Sequence, residues 1–457
     1  MAHLLDTQED MELNAFNMRS YWKLTCAGLV ACIFLFTVLN SSAQKNLTLD
    51  DCIQIGLSNN ITIKQVNNNS LIAGANEKQS KMEYLPRVSA FSNYNISRGL
   101  TNDPTTFEPV TATTRSSTPS IGLELNVFNG MRTRNSIQRS SLVKEAADFD
   151  VAKTRDDIEL AVTASYLLVI SDLENIKIAQ DRLDLLSNQL KRAERRVEAG
   201  VANMEQVYNL RSQTANEKLN KVTLENRYKS DRLSLLQTLL LDPSVDYEIA
   251  DPSILMQRID STLPTYQDIL ELVLDYSPGL KSASLGIETS KMDLALAKAD
   301  RLPILDMRAA YGSTFSSNNG ESYFDQLGVN EQKFLGFSLR VPIFDRNRVK
   351  NNIHVSNINI TNSELDYQQV RIDLVNNLQQ AYLDLVAAHS TYEAAQENLI
   401  ALEQSFNFSE SRYNSGNTDF YTYLESLNNK NRAEIDLNNS RYSFIFRKRI
   451  LEIYRGL

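Results

Sequence analysis

In residues 176–200, apolar or small side chains fall at Ile176, Ala179, Leu183, Leu186, Leu190, Ala193 and Val197, followed by Gly200. The steps alternate three and four, which is the seam of a helix packed lengthwise against others. Residues 392–416 repeat the pattern at Tyr392, Ala395, Leu399, Leu402, Phe406, Ser409 and Tyr413, followed by Gly416, every position displaced by 216. A seam of this length recurring in register points to a duplicated unit and against two unrelated domains.

The repeat reaches beyond the seam. Leu85-Pro86 matches Leu302-Pro303, Val127-Phe128 matches Ile343-Phe344, and Tyr166-Leu167 matches Tyr382-Leu383. The segmentation that follows is a leader at 1–43, a first repeat at 44–240, a link at 241–263 and a second repeat at 264–457.

The leader rests on the apolar run 24–39, preceded by Arg19 and Lys23 and followed by Ser41-Ser42-Ala43, the layout of a secretory signal peptide. Cleavage is expected after Ala43. The acidic residues Asp6, Glu9, Asp10 and Glu12 are foreign to such a leader, so the true start is expected at Met18. Sixteen residues is short for a helical membrane span of about 20. Cys32 also stands in a lipoprotein-like box, Leu29-Val30-Ala31-Cys32, but the apolar run continues after it.

Cys26 and Cys32 leave with the leader, so the mature chain keeps Cys52 and has no internal disulfide. Stability must come from packing or assembly. The net charge of −9 becomes −7 once the leader's two basic and four acidic residues are removed, which speaks against a nucleic-acid partner. Three His and one mature Cys make no metal cluster. There is no nucleophile elbow, P-loop or dinucleotide fingerprint, so neither catalytic residues nor a cofactor are expected.

The chain reads as mostly helical with two pairs of short strands. A helix is expected over 48–84, stopped by Pro86. Residues 87–96 alternate, with a defect at Phe91-Ser92; 98–118 reads as a loop; 120–128 alternates cleanly and ends at Asn129-Gly130. A long helix over 131–197 turns at Gly200 into a returning helix over 204–240. The second unit repeats this: helix 265–301, strand 304–312, loop 313–333, strand 335–343, long helix 347–412, the Gly416 turn and a last helix to about 455. Two short helices end to end match one long one. The chain ends and the 241–263 link, with a short strand near 247–250, should then form an equatorial belt.

The strands have the length of tilted membrane-crossing strands. They set apolar residues on one face and Glu124, Asp306, Arg308 and Arg340 on the other, which suits a wall between lipid and a watery lumen. Four strands cannot close a barrel, and an open edge in lipid leaves backbone groups unsatisfied. The same alternation also fits a half-buried sheet in a soluble protein; if the strands cross lipid, the chain must share its barrel with copies of itself.

The order helix, strand, loop, strand, long helix, Gly turn, helix, given twice, resembles the TolC-type outer-membrane efflux proteins. The matching stretches are LTLDDCIQIGLSNN at 47–60, YLPRVSA at 84–90, LELNVFNG at 123–130, RVEAG at 196–200, RVPIFDRN at 340–347 and RYNSG at 412–416. The resemblance covers essentially the whole mature chain. It implies a homotrimer whose twelve-stranded β-barrel in outer-membrane lipid continues into a long periplasmic α-helical barrel of coiled-coil hairpins. It implies a passive duct partnered by an inner-membrane transporter and a periplasmic adaptor, a membrane fusion protein. Adaptor docking falls by analogy at the hairpin tips, Ala199, Gly200 and Val201 with Ser415, Gly416 and Asn417. The family's acidic periplasmic aperture maps to Thr422 and Glu425; Thr422 departs from that pattern, leaving Glu425 as a single carboxylate ring.

Two other readings compete. One is the outer-membrane duct of a type I protein secretion system, which shares this component. The other is a membrane-anchored coiled-coil scaffold that retains residues 24–39. The scaffold explains the heptads but not the four alternating strands.

Overall fold

A computed structural model describes residues 46–245, 247–250 and 263–456. The leader with Met18, Cys26 and Cys32, and most of the 241–263 link, lie outside the described residues.

The first repeat opens with β1 (Asn46–Leu47), α1 (Leu49–Asn59) and α2 (Ile61–Met82). Thr48 starts α1 with a capping box: its side chain accepts from Asp51 N, and the Asp51 carboxylate accepts from Thr48 N. The single helix expected over 48–84 is two. Asn60 leaves the helical region at φ −55°, ψ 128°, and its side chain accepts from Ile63 N at 3.1 Å to start the next helix.

The strands that follow are β2 (Arg87–Phe91), β3 (Tyr94–Asn102), β4 (Pro109–Ser117) and β5 (Ser120–Phe128). The expected loop at 98–118 is mostly a hairpin: β3 pairs antiparallel with β4 from Tyr94↔Ser117 to Asn102↔Pro109. The defect read at Phe91-Ser92 is where β2 gives way to β3, opposite the break at Thr118-Pro119 between β4 and β5. Of the expected strand over 87–96 only five residues join the sheet, as β2, while β5, β7 and β9 have 9, 10 and 10; beyond the sheet, the β3–β4 ribbon runs about 30 Å at the usual rise per residue.

Then come α3 (Arg132–Glu198, 67 residues) and α4 (Met204–Thr238, 35 residues). The link contributes β6 (Glu248–Ile249), parallel to β1 with Leu47↔Ile249. The second repeat has α5 (Tyr266–Tyr276), α6 (Pro278–Ala299), β7 (Ile304–Ser313), β8 (Phe315–Ser316), α7 (Tyr323–Val329), β9 (Glu331–Arg340), α8 (Arg348–Asn414) and α9 (Phe420–Tyr454). Helices α8 and α9 have 67 and 35 residues, the same as their counterparts. The expected helix 265–301 is again two, broken at Ser277, whose hydroxyl accepts from Leu280 N while Pro278 takes the first-turn position that needs no N–H. The expected loop 313–333 contains β8 and α7. The last strand lies at 331–340 rather than 335–343, because Pro342 has no N–H to give a ladder.

Strands and helices share one lateral order. The sheet runs β2-β5-β7-β9, all antiparallel. On one side of the equator the helices continuing from these strands neighbour one another as α2, α3, α6, α8. On the other side the order is α4, α3, α9, α8. One chain forms an open sheet and an open palisade, not a closed barrel.

The belt is packed from pieces distant in sequence. Leu47, Cys52, Ile53, Val162, Tyr166, Leu235, Leu239 and Tyr442 form one core. The Tyr166 hydroxyl donates to the Leu47 carbonyl at 3.3 Å. Ile269 and Val273 of α5 pack with Leu378, Leu385, Phe444 and Leu451 in a second core. In the first seam Ala179, Leu186 and Ala193 are buried, as read. In the second seam Phe406 is buried, but Tyr392, Ala395, Leu399 and Leu402 are half-exposed. The difference follows from place: α3 has neighbours on both sides, whereas α8 stands at the open edge.

Candidate functional site

The sheet register sorts its side chains into two faces. Glu124 faces Arg308 across β5 and β7, Asn126 faces Asp306, and Arg340 of β9 faces Ile304. Arg87 of β2 faces Glu124. With a side-chain period of two, Glu124, Asp306, Arg308 and Arg340 therefore share one face, joined by Arg87. The opposite face carries Val88, Leu123, Leu125, Leu305, Met307, Leu335, Phe337 and Leu339. Arg308 Nε lies 3.2 Å from Glu124 Oε1. Arg87, Glu124, Asp306 and Arg308 border a concave space of about 1010 Å3 at the helix-proximal end of the sheet, which also touches Glu83 and Arg132.

The turns out of the sheet are repeated in detail. Gly130 and Met131 have φ +66° each, and Arg346 and Asn347 have φ +60° and +63°. At Gly130 a Cβ would meet the Ala299 carbonyl at 2.8 Å, so only glycine fits where this turn presses on the end of α6.

At the far ends of the helices, Gly200 and Gly416 adopt φ +73° and +76°. Each closes its long helix in the same way. Gly200 N donates to Val197 O and Val201 N to Arg196 O; Gly416 N donates to Tyr413 O and Asn417 N to Arg412 O. Ala199, Gly200, Val201, Ser415, Gly416 and Asn417 are all exposed. The returning helices begin at capped residues, Asn203 for α4 and Asp419 for α9. Asp419 accepts from Tyr421 N at 2.8 Å, Thr422 N at 2.9 Å and the Thr422 hydroxyl at 2.6 Å. The Thr422 hydroxyl above all, and then its amide, hold the Asp419 carboxyl below the usual carboxylate range. Thr422 is thus a cap partner, and Glu425 stands exposed one turn on.

Residues that single-site reading passed over join the two hairpins here. The Tyr421 hydroxyl donates to Glu205 Oε1 at 2.5 Å and accepts from Asn209 Nδ2 at 3.1 Å. Its bond to the Glu205 carboxylate, chiefly, raises the Tyr421 pKa. Below it, Gln189 Nε2 donates to the buried Tyr423 hydroxyl at 2.8 Å. Val207, Leu210, Phe406, Phe420, Leu424 and Leu427 close an apolar cluster around them. Further along, Arg182 bridges three helices, at 3.1 Å from Glu217 of α4 and donating to Asn428 of α9 at 2.6 Å. Overlaying the repeats at their offset was the available signal, since Glu205 and Tyr421 are equivalent positions.

One buried charge lies mid-palisade. The Asp172 side chain is 1% exposed, 3.2 Å from Arg227 Nε, and Arg227 also reaches Asp231 at 3.5 Å. Burial first, and then the neighbouring Asp231 carboxyl, push the Asp172 carboxyl up to about 6 against the pull of Arg227. Beside it Asn438 Nδ2 donates to the Ser171 carbonyl and to Asn175 Oδ1.

Among the described residues no group of His, Cys, Asp and Glu could hold a metal ion, and no helix is long and apolar enough to cross a membrane.

The comparisons with known proteins agree with this architecture. The family described as "Outer membrane efflux protein" matches residues 52–239 and 269–446, one stretch in each repeat. "Outer membrane protein TolC" of Escherichia coli is 20% identical over 402 residues, covering 80% of each chain. The solved outer membrane protein VceC of Vibrio cholerae superposes with a TM-score of 0.72 at 13% identity, over 89% of this chain and 96% of that one. The CusC structure superposes at 0.76 and 14% identity, over 91% and 95%. Channel proteins, not enzymes, make up this company, and the outer membrane is where they reside. The chain is a member of the outer membrane efflux protein family, a TolC-type protein of the outer membrane with a helical tunnel in the periplasm.

Proposed function

We propose that the chain is one third of a passive outer-membrane duct in a tripartite efflux system. An inner-membrane transporter and a periplasmic adaptor deliver substrates, and the trimer conducts them from the cell envelope to the outside. The observation that carries this reading is the shared lateral order of strands and helices, open at the same two edges. Strands β2 and β9 are the two unpaired edges of the sheet, and lipid tolerates no unpaired edge. The helical edges are apolar and exposed, with Ile61, Leu71, Ile72 and Met82 on α2 and Val355, Ile358, Leu365 and Ile372 on α8. A ring of three copies joins β2 to β9 and α2 to α8, giving twelve strands, enough for a watery lumen.

In this assembly Glu124, Asp306, Arg308 and Arg340 line the barrel, while the apolar face meets lipid. Thr422 and Glu425 border the periplasmic aperture, and Ala199, Gly200, Val201, Ser415, Gly416 and Asn417 receive the adaptor. Residues 44–240 and 264–457 act as two quasi-equivalent sixths of the tube, tied by the 241–263 belt, after a leader at 1–43 is removed. The deciding experiment is light scattering of the mature protein in detergent, paired with single-channel recording in planar bilayers. A mass of three chains and a steady conductance are expected; a water-soluble, non-conducting monomer overturns the reading.

A further inference from the structure

The charged face of the sheet changes character along the strands. At the helix-proximal end it holds Arg87, Glu124, Asp306, Arg308 and Arg340. Toward the outer end the same face carries Ser89, Ser120, Gly122, Ala310, Gly312 and Gly336, and among these small residues two phenylalanines. Register places them there. Phe91 faces Ser120, which faces Gly312; Phe334 faces Ala310, which faces Gly122. Both belong to the parity of Glu124, not to that of the lipid-suited leucines. Phe91 is 64% exposed and Phe334 58%.

The glycines are the counterpart of the rings. A Cβ at Gly336 would meet Phe334 Cζ at 2.6 Å, so the ring lies down over its neighbour and along the wall. Gly122 has nothing within 4 Å of its missing Cβ. Glycine inside a strand weakens it and marks a close approach by something else. An inner barrel face is ordinarily polar, so large aromatic side chains on it have no lipid or core to explain them.

The two rings sit on the two edge strands of the chain, β2 and β9. In the ring of copies proposed above, on which this inference rests, β9 of one chain lies beside β2 of the next. We propose that Phe334 of each chain and Phe91 of its neighbour form an aromatic collar across every seam, six rings around the outer half of the lumen. Each half of a ring pair comes from a different copy, so the collar exists only in the assembled trimer. Its ligand class is the flat or multi-ring aromatic cation in transit. Ring faces and edges contact an aromatic solute by offset stacking and attract a cation by their quadrupole. The nearest arginine below, Arg308, has its charge engaged by Glu124. The collar therefore selects among solutes by aromatic contact, beyond what aperture charge alone achieves.

The test is block of single-channel current in planar bilayers, with the probe added on the side bearing the β3–β4 ribbon. Tetraphenylphosphonium is compared with tetrabutylammonium, a cation of the same charge without rings. The expected half-blocking concentration is about tenfold lower for tetraphenylphosphonium, the scale of one or two cation–π contacts. Phe334→Ala and Phe91→Ala each abolish most of that preference. Phe334→Leu keeps the bulk and also loses the preference, whereas Phe334→Tyr keeps it. Leu335→Ala on the opposite face changes nothing. A conducting trimer whose tetraphenylphosphonium block is indifferent to Phe91 and Phe334 overturns the collar and leaves the duct standing. Sensitivity at Leu335 in place of Phe334 overturns the assignment of faces. Absence of any conductance removes the duct and the collar together.

Discussion

Glu205 and Tyr421 occupy the same place in the two repeats, 216 positions apart, and their side chains bond directly, Tyr421 hydroxyl to Glu205 Oε1 at 2.5 Å. Sequence equivalents have become spatial partners at the periplasmic end. The contact ties the start of α4 to the start of α9, and in the proposed trimer their separation would widen the aperture.

Tyr421→Phe should loosen that tie while leaving the fold intact, since the ring remains and the site is exposed. The expected result is a higher single-channel conductance and more frequent openings, with an unchanged thermal midpoint. Glu205→Gln should give a weaker version of the same effect.

In the proposed trimer Glu425 is the one carboxylate of the aperture pair, because Thr422 is uncharged and its hydroxyl caps α9 through Asp419. A ring of three carboxylates favours cations. Glu425→Gln should shift the reversal potential in a salt gradient toward that of a nonselective pore. Unchanged selectivity would make Glu425 an ordinary solvated helix charge.

Asp172 predicts a pH dependence. Its folded pKa of about 6 lies above the ordinary value near 4, so the fold favours the protonated form. Its contribution to stability is complete below about pH 4 and is lost as the pH rises through 6. Asp172→Asn fixes the neutral state and leaves Arg227 its contact with Asp231. The thermal midpoint should rise by roughly 2–4 °C at pH 8 and stay unchanged at pH 4. A midpoint that falls at pH 8 would mean the Arg227 pair outweighs the burial of the charge.

Gly56 on α1 faces the belt core, where a Cβ would lie 2.8 Å from Val162 Cγ2 and 3.5 Å from Leu239. Val is stiff about its one side-chain torsion, so Gly56→Ala should overpack the belt and destabilise it by about 1–3 kcal/mol. Differential scanning calorimetry of the trimer checks this. Gly74, with nothing within 4 Å, is the control that should tolerate alanine.

Repetition and periodicity explain what could be read from the chain alone. The seam residues at three-and-four spacing became the long helices, and the alternation at 120–128 and 304–312 became central strands with the expected faces. The helix breaks at Asn60 and Ser277 escaped because a single polar residue does not interrupt a helical pattern. Only its cap geometry reveals it, although Pro278 was a usable sign. The β3–β4 ribbon escaped because both its faces are largely open to solvent, so no hydrophobic period records it. The Tyr421–Glu205 bond lay deeper still, since it depends on how two hairpins converge rather than on either one.

The open edges also constrain biogenesis. A lone chain exposes the backbone of β2 and β9 and two greasy helix flanks at once, which is a template for fibre-like misassociation. In the proposed trimer, insertion into lipid and recruitment of the other two copies would therefore proceed together.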